Sequence, residues 1–360
     1  MKYAISIALV CFCGLLIFTN ACPLGTAKKN KIKFEVPKGW PQPNYTFEKN
    51  KLTWAGFELG KKLFYDPRLS RDNSVSCGSC HQPFAAFSHI DHAVSHGINN
   101  KLGTRNAPAL FNLCWQKSFF WDGGANHIEV QPISPMTNAA EMDQSLDSII
   151  AKLQADETYQ KMFKEAFGSG EINSQKMLRA LAQFMGALVS SNARYDKYMR
   201  KEAGGEMSAS ELSGLAIFRE KCSSCHTEPL FSDFSYRNNG LVPKYGLNDS
   251  GRAHITHDVA DMYKFKVPSL RNLKYTPPYM HDGRFNELSQ VLDHYSSPKF
   301  QSPTLDRAVN GIYLTPKQKE DLLAFLNTLN DEEFVKNPLF KDESNRVDMS
   351  NIHHTTSFRP

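Results

Sequence analysis

The chain has 360 residues, 41% hydrophobic and 22% charged, a balance that excludes an intrinsically disordered chain and leaves room for two globular domains. With 42 Lys+Arg against 37 Asp+Glu the formal net charge is +5, and the basic residues are scattered rather than striped, so no nucleic-acid-binding face is indicated. The 8 cysteines are the feature to explain.

In chain order, residues 1–22 read as a lipoprotein-type signal peptide. Lys2 precedes the apolar stretch Ala4 to Phe18, which falls short of the ~20 residues of a membrane span, and Ala21-Cys22 resembles a small residue before an acylated cysteine. Ordinary cleavage with Cys22 incidental is the alternative. Both imply export to the periplasm, and a lipid on Cys22 would hold the protein at a membrane. Residues 23–50, with Lys28, Lys29, Lys31, Lys33 and several prolines, read as a tether.

Four of the remaining five cysteines form Cys77-Gly78-Ser79-Cys80-His81 and Cys222-Ser223-Ser224-Cys225-His226. The C-x-x-C-H spacing lets two thiols add to the vinyl groups of one haem while the adjacent His reaches its iron, so two c-type haems are expected, on His81 and His226. A four-thiolate zinc site competes, but it needs no His after each pair. Thioredoxin-like redox chemistry lacks its βαβ context, and disulfides would leave both histidines unexplained. Cys114 is then left over, as a buried thiol beside Trp115.

The sequence repeats itself around these motifs. Pro108-Ala-Leu-Phe-Asn-Leu113 answers Pro268-Ser-Leu-Arg-Asn-Leu273, and fourteen residues after each proline comes Asp122-Gly123 or Asp282-Gly283, preceded by Trp121 or His281. Upstream, Gly60 to Phe64 and Gly214 to Phe218 each close an amphipathic stretch. Helical spacing runs from Ser174 to Ser191, and Thr315-Pro316 opens another helix with a cap and a first-turn proline. No segment alternates as a strand. The expected fold is all-α: two tandem cytochrome c-like domains, residues 51–203 and 204–337, joined at Gly204-Gly205 and followed by a polar tail, 338–360.

Trp121-Asp122-Gly123, Gln131, Glu141 and Pro278-Tyr-Met-His-Asp-Gly283 resemble the bacterial di-haem cytochrome c peroxidases and the MauG-type di-haem enzymes, from about Gly56 to Leu329. The resemblance implies that the N-terminal haem meets peroxide and the C-terminal haem relays electrons. It assigns Trp121 to the bridge between them, Gln131 and Glu141 to the peroxide pocket, and Asn106, Thr276 and Pro278 to a calcium site. A carboxylate at Glu141 can shuttle the proton that peroxide cleavage requires, and the Gln131 amide can orient the peroxide. Asn138 to Glu141 also has capping-box spacing ahead of a helix through Leu146 and Leu153.

Two departures from the peroxidases stand out. Their loop histidine, which blocks the first haem, aligns here with Ile98; His96, His89 and His92 lie nearby, and an open sixth position is expected. Their axial Met is replaced by Tyr295, as in MauG-type enzymes, whereas the corresponding position of the first copy is Pro135. A phenolate favours ferric iron; water, His294 or Met280 are the alternative ligands.

Three functions follow. The first is a peroxidase that reduces H2O2 to water with electrons from a small donor protein such as a cytochrome c. The second is a MauG-like oxidase acting on a protein or organic substrate through high-valent iron. The third is a non-catalytic di-haem electron carrier.

Overall fold

Thr53 ends an extended segment and accepts the Gly56 amide with its hydroxyl at 3.0 Å, which starts the first long helix. The computed structural model describes residues 31–90, 92–244 and 249–342, so the leader, Cys22 and most of the expected tail lie outside the described residues. The helices are α1 (Trp54–Tyr65), α2 (Cys77–Cys80), α3 (Ile133–Thr137), α4 (Leu146–Gln154), α5 (Glu157–Phe167), α6 (Ser174–Gly186), α7 (Arg194–Arg200), α8 (Ala209–Lys221), α9 (Ala253–Thr256), α10 (Leu288–Ser296), α11 (Pro316–Asn327) and α12 (Glu332–Lys336). The architecture is mainly helical. Its one sheet among the described residues departs from an all-α chain: β1 (Tyr236–Arg237) pairs antiparallel with β2 (Phe265–Lys266), Tyr236 opposite Lys266.

Two apolar cores organise the body. One gathers Phe57, Leu63, Phe64, Ile149, Phe163, Leu181 and Phe184 around α1 and α4–α6; the other gathers Leu215, Phe218, Phe231, Leu322 and Phe325 around α8 and α11. The duplication is visible in the central helix pairs, α1 on α6 and α8 on α11. A Cβ added at Gly60 would lie 2.0 Å from Ala180 O, and one at Gly214 would lie 2.0 Å from Asp321 O, so the same glycine of each copy lets two helix backbones touch. Asn112 and Asn272 also correspond: both are left-handed (φ 56° and 64°), a conformation that Asn tolerates better than most side chains. Each turns the chain into a short 3-10 helix, Leu113–Trp115 or Leu273–Tyr275.

Segments cross between the two cores. Tyr195 of α7 packs in the second core, while Phe334, Val335 and Phe340 return to the first. Residues 338–340, placed in the tail by sequence, form a 3-10 turn whose Phe340 is buried near Phe87 and Phe334. Of the expected tether, the described part packs on the body through Trp40, which meets Trp115 edge-on at 5.0 Å. Helix α6 stops at Gly186 rather than Ser191, where Asn112 captures the following segment: Ser190 N donates to Asn112 Oδ1 (2.9 Å) and Asn112 Nδ2 to Ser190 O (3.0 Å).

Candidate active site

Helix α2 is a single turn, so Cys77 and Cys80 project from one side of it, and the His81 amide continues the turn by donating to Cys77 O at 2.9 Å. The His81 Nδ1 lies 2.9 Å from Phe87 O. In the second copy His226 Nδ1 lies 3.1 Å from both Phe231 O and Pro268 O. A carbonyl only accepts, so Nδ1 carries the proton in both rings and Nε2 keeps a lone pair for a metal. Burial pushes His81 down to about 4 and lowers His226 as well, which keeps both imidazoles neutral. Burial likewise pushes the thiols up, Cys77 to about 12 and Cys222 to about 11. The two Cys pairs do not converge: among the described residues no three His, Cys, Asp or Glu side chains gather as a metal cluster. A four-thiolate zinc site is therefore not what the fold builds. Cys114 is fully buried and donates to Gly186 O at 3.2 Å, the isolated thiol expected from its position.

Both motifs open into one cavity of about 1200 Å³, beyond the roughly 300–1,000 Å³ of ordinary small-molecule sites. Cys80 and His81 line one end; Cys222, Cys225 and His226 line the other. Apolar walls, protonated thiols beside the wall and imidazoles with a free Nε2 fit covalently attached haem at each end.

The sequence-predicted pocket residues Trp121, Gln131 and Glu141 all line this cavity. Trp121 Nε1 donates to Asn106 O at 2.9 Å, which fixes the indole, and its ring meets His281 at 6.5 Å in a T-shape. Burial raises the pKa of Glu141, while Asn138 Nδ2, donating to Oε1 at 2.8 Å, partly opposes that rise. The capping-box reading needs correcting. Asn138 ends α3, and α4 begins at Leu146 under a Ser145 cap, so the Asn138–Glu141 pair closes a turn instead of a helix N-terminus. Glu141 is placed by the loop before it: Ile98 N donates to Glu141 O at 2.8 Å.

None of His89, His92 and His96 lines the cavity. Their rings cluster together, His92 and His96 at 4.0 Å, and Ile98 is buried. At the second motif Tyr295 of α10 and Met280 line the cavity, whereas His294 does not, and its Nε2 lies 3.1 Å from Asn239 O. Asn239 Nδ2 also lies 3.7 Å from Met280 Sδ. Pro135 lines the first end, in the position that corresponds to Tyr295.

Asn106, Thr276 and Pro278 all border the cavity, and Asn106 Nδ2 donates to Ala93 O at 3.1 Å. They offer oxygen donors of the kind hard cations take. Sequence reasoning missed two neighbours. Arg105 makes two bonds to Asp249, both 2.7 Å, and one to Asp122 at 2.5 Å, tying the copies together. Lys266, also on the cavity wall, donates through Nζ to Gln116 Oε1 (2.5 Å) and Ser118 O (2.8 Å). The repeat carried a signal for Lys266, since it stands two residues before Pro268 as Asn106 stands before Pro108.

Residues 54–204 match the family described as di-haem cytochrome c peroxidase. The methylamine utilization protein MauG of Methylorubrum extorquens is 38% identical over 84% of this chain and 84% of its own length. The cytochrome c551 peroxidase of Nitrosomonas europaea is 32% identical over 80% of this chain and 84% of its own. A solved structure, a MauG-like protein associated with microbial copper homeostasis, superposes with a TM-score of 0.80 at 32% identity, over 87% of this chain and 99% of that one. With its two Cys-x-x-Cys-His motifs opening on one cavity, the chain belongs to the di-haem cytochrome c peroxidase and MauG family of haem-dependent oxidoreductases.

Proposed function

We propose that the protein is a MauG-like di-haem oxidase, which takes two oxidising equivalents from H2O2 at the His81 end of the cavity and delivers them to a protein or organic substrate. The observation that carries this reading is the side chain facing the second end: Tyr295 lines the cavity there, with no loop histidine lining the first end. Haem, once attached, supplies the iron that cleaves peroxide and stores oxidising equivalents. The chain's own residues supply the rest. Gln131 orients the peroxide, Glu141 takes its proton and returns it to the leaving oxygen, and Trp121, whose indole is pinned by Asn106 O, would carry oxidising equivalents between the two ends. A phenolate from Tyr295 would favour the ferric state and make the second site a poor acceptor from an ordinary cytochrome donor. A calcium ion on Asn106, Thr276 and Pro278 and a lipid on Cys22 at the periplasmic face of a membrane belong to the same reading.

The test mixes the fully ferric holoprotein with one equivalent of H2O2. The expected result is a spectral change at both haems that persists without a reductant and decays when an oxidisable substrate is added. Rapid return to the ferric spectrum only in the presence of reduced cytochrome c, with steady peroxide turnover, would instead establish the peroxidase, the second reading, which is favoured by relatives such as the cytochrome c551 peroxidase. A protein inert to peroxide would leave only electron transfer.

A further inference from the structure

The two copies are related by an approximate two-fold exchange where they meet. The pairing that sets Pro108 against Pro268 also sets Asn106 against Lys266, Gln116 against Thr276, Ser118 against Pro278 and Trp121 against His281. The backbone obeys the same exchange: Asn106 N donates to His281 O at 2.8 Å, and Lys266 N donates to Trp121 O at 2.7 Å. Farther along, Phe119 bridges Ala125 as Tyr279 bridges Phe285.

Under this exchange the trio Asn106, Thr276 and Pro278 maps onto Lys266, Gln116 and Ser118. These last three are in contact: the Lys266 ammonium donates to Gln116 Oε1 at 2.5 Å and to Ser118 O at 2.8 Å. We propose that the Lys266 ammonium is a built-in cation, occupying the position that the duplication pairs with the cation site at Asn106, Thr276 and Pro278. The interface then has two cation positions, one filled by the chain and one by an ion; the second half of the statement rests on the calcium reading above.

The chemistry of the two positions agrees. A calcium ion and an ammonium group both take oxygen donors, and backbone carbonyls and side-chain amides serve either. Among the described residues Lys266 has no carboxylate hydrogen-bond partner, so the segment from Gln116 to Ser118 holds it as it would hold an ion. Burial pushes its pKa down to about 7, with Asp122 opposing, which is the cost of keeping a cation there. The Phe119 ring, 5.9 Å away, covers it. Because Lys266 N also holds Trp121 O, the residue clamps the segment that presents the bridging indole, and its role is that of a positioning residue.

The experiment counts calcium per chain in the calcium-saturated, desalted holoprotein, for the wild type, Lys266→Asn and Asn106→Lys. Lys266→Asn copies the first site into the second, and it is expected to hold one more calcium than the wild type. An unchanged count overturns the proposal. The wild-type count judges the calcium reading by itself: one ion supports it and none refutes it, whatever the variant does. Asn106→Lys keeps the test open if Lys266→Asn does not fold. It is expected to hold one calcium fewer and to unfold, with or without chelator, at the temperature of the calcium-loaded wild type. Unfolding at the temperature of the chelated wild type counts against the proposal.

Discussion

Glu141→Gln separates catalysis from architecture at the peroxide pocket. The exchange keeps side-chain volume, and the amide oxygen can still accept from Asn138 Nδ2, now 2.8 Å from Oε1, while Ile98 N continues to bond the backbone oxygen. What disappears is an oxygen able to hold and release a proton. General acid–base catalysis contributes ~10²–10⁴-fold, equivalent to about 2.7–5.4 kcal/mol of barrier at 1.36 kcal/mol per decade. The reaction of ferric holoprotein with H2O2, followed by rapid mixing, should slow by that factor. Burial raises the Glu141 pKa, so the wild-type rate should fall on the acid side at a pH above the ordinary carboxylate range, and the variant should lack that limb. Stability should move the other way. A carboxyl whose folded pKa exceeds its unfolded value binds more protons when folded, so its contribution to stability declines as pH rises through that window. The amide has no such charge to bury, and the variant should be at least as stable as the wild type at neutral pH. A variant within threefold of the wild-type rate, with the acid limb intact, would refute the role and leave Glu141 as a turn residue.

Three further outcomes are expected. Asp196→Asn would strand the Arg271 guanidinium, which has 0% side-chain exposure and bonds Asp196 at 2.8 and 2.6 Å; denaturant unfolding should show a loss of about 3–5 kcal/mol, and a loss below about 1 kcal/mol would contradict the accounting. Gly60→Ala and Gly214→Ala each drive a Cβ to 2.0 Å from a backbone carbonyl, so each should lower stability by at least ~1–3 kcal/mol, whereas an alanine variant as stable as the wild type would show that the helices can part freely. Tyr295→Met should raise the potential of one haem in a redox titration, at ~59 mV per tenfold change in the reduced-to-oxidised ratio; two unchanged potentials would remove Tyr295 from the iron.

The two Cys-x-x-Cys-His motifs were legible in the sequence because the spacing is local. Two thiols and a histidine within five positions act together whatever surrounds them, and the turn at Cys77–Cys80 delivers that geometry. Thr315-Pro316 announced α11 for the same reason, since a helix cap involves only its first turn. Asn138 and Glu141 show the limit of such reading: the pair met as its spacing implied, but the helix began elsewhere, because Ser145 is a competing cap closer to the apolar run.

The duplication itself was readable, and Trp121, Gln131 and Glu141, singled out in the sequence, line one cavity. Tertiary structure decided what the repeats do to each other. That the loop histidines do not line the cavity, that His294 meets Asn239 O while Tyr295 lines the cavity, and that Phe334 and Phe340 pack in the first core all depend on packing between distant segments. Lys266 is the clearest instance. By sequence it is one of the scattered basic residues. It becomes a half-buried group beside Trp121 only because the two copies pack together, bringing Gln116 and Ser118 to its ammonium across some 150 positions of chain. Local spacing encodes groups that act within one turn, whereas burial and partnership across the interface arise from the fold as a whole.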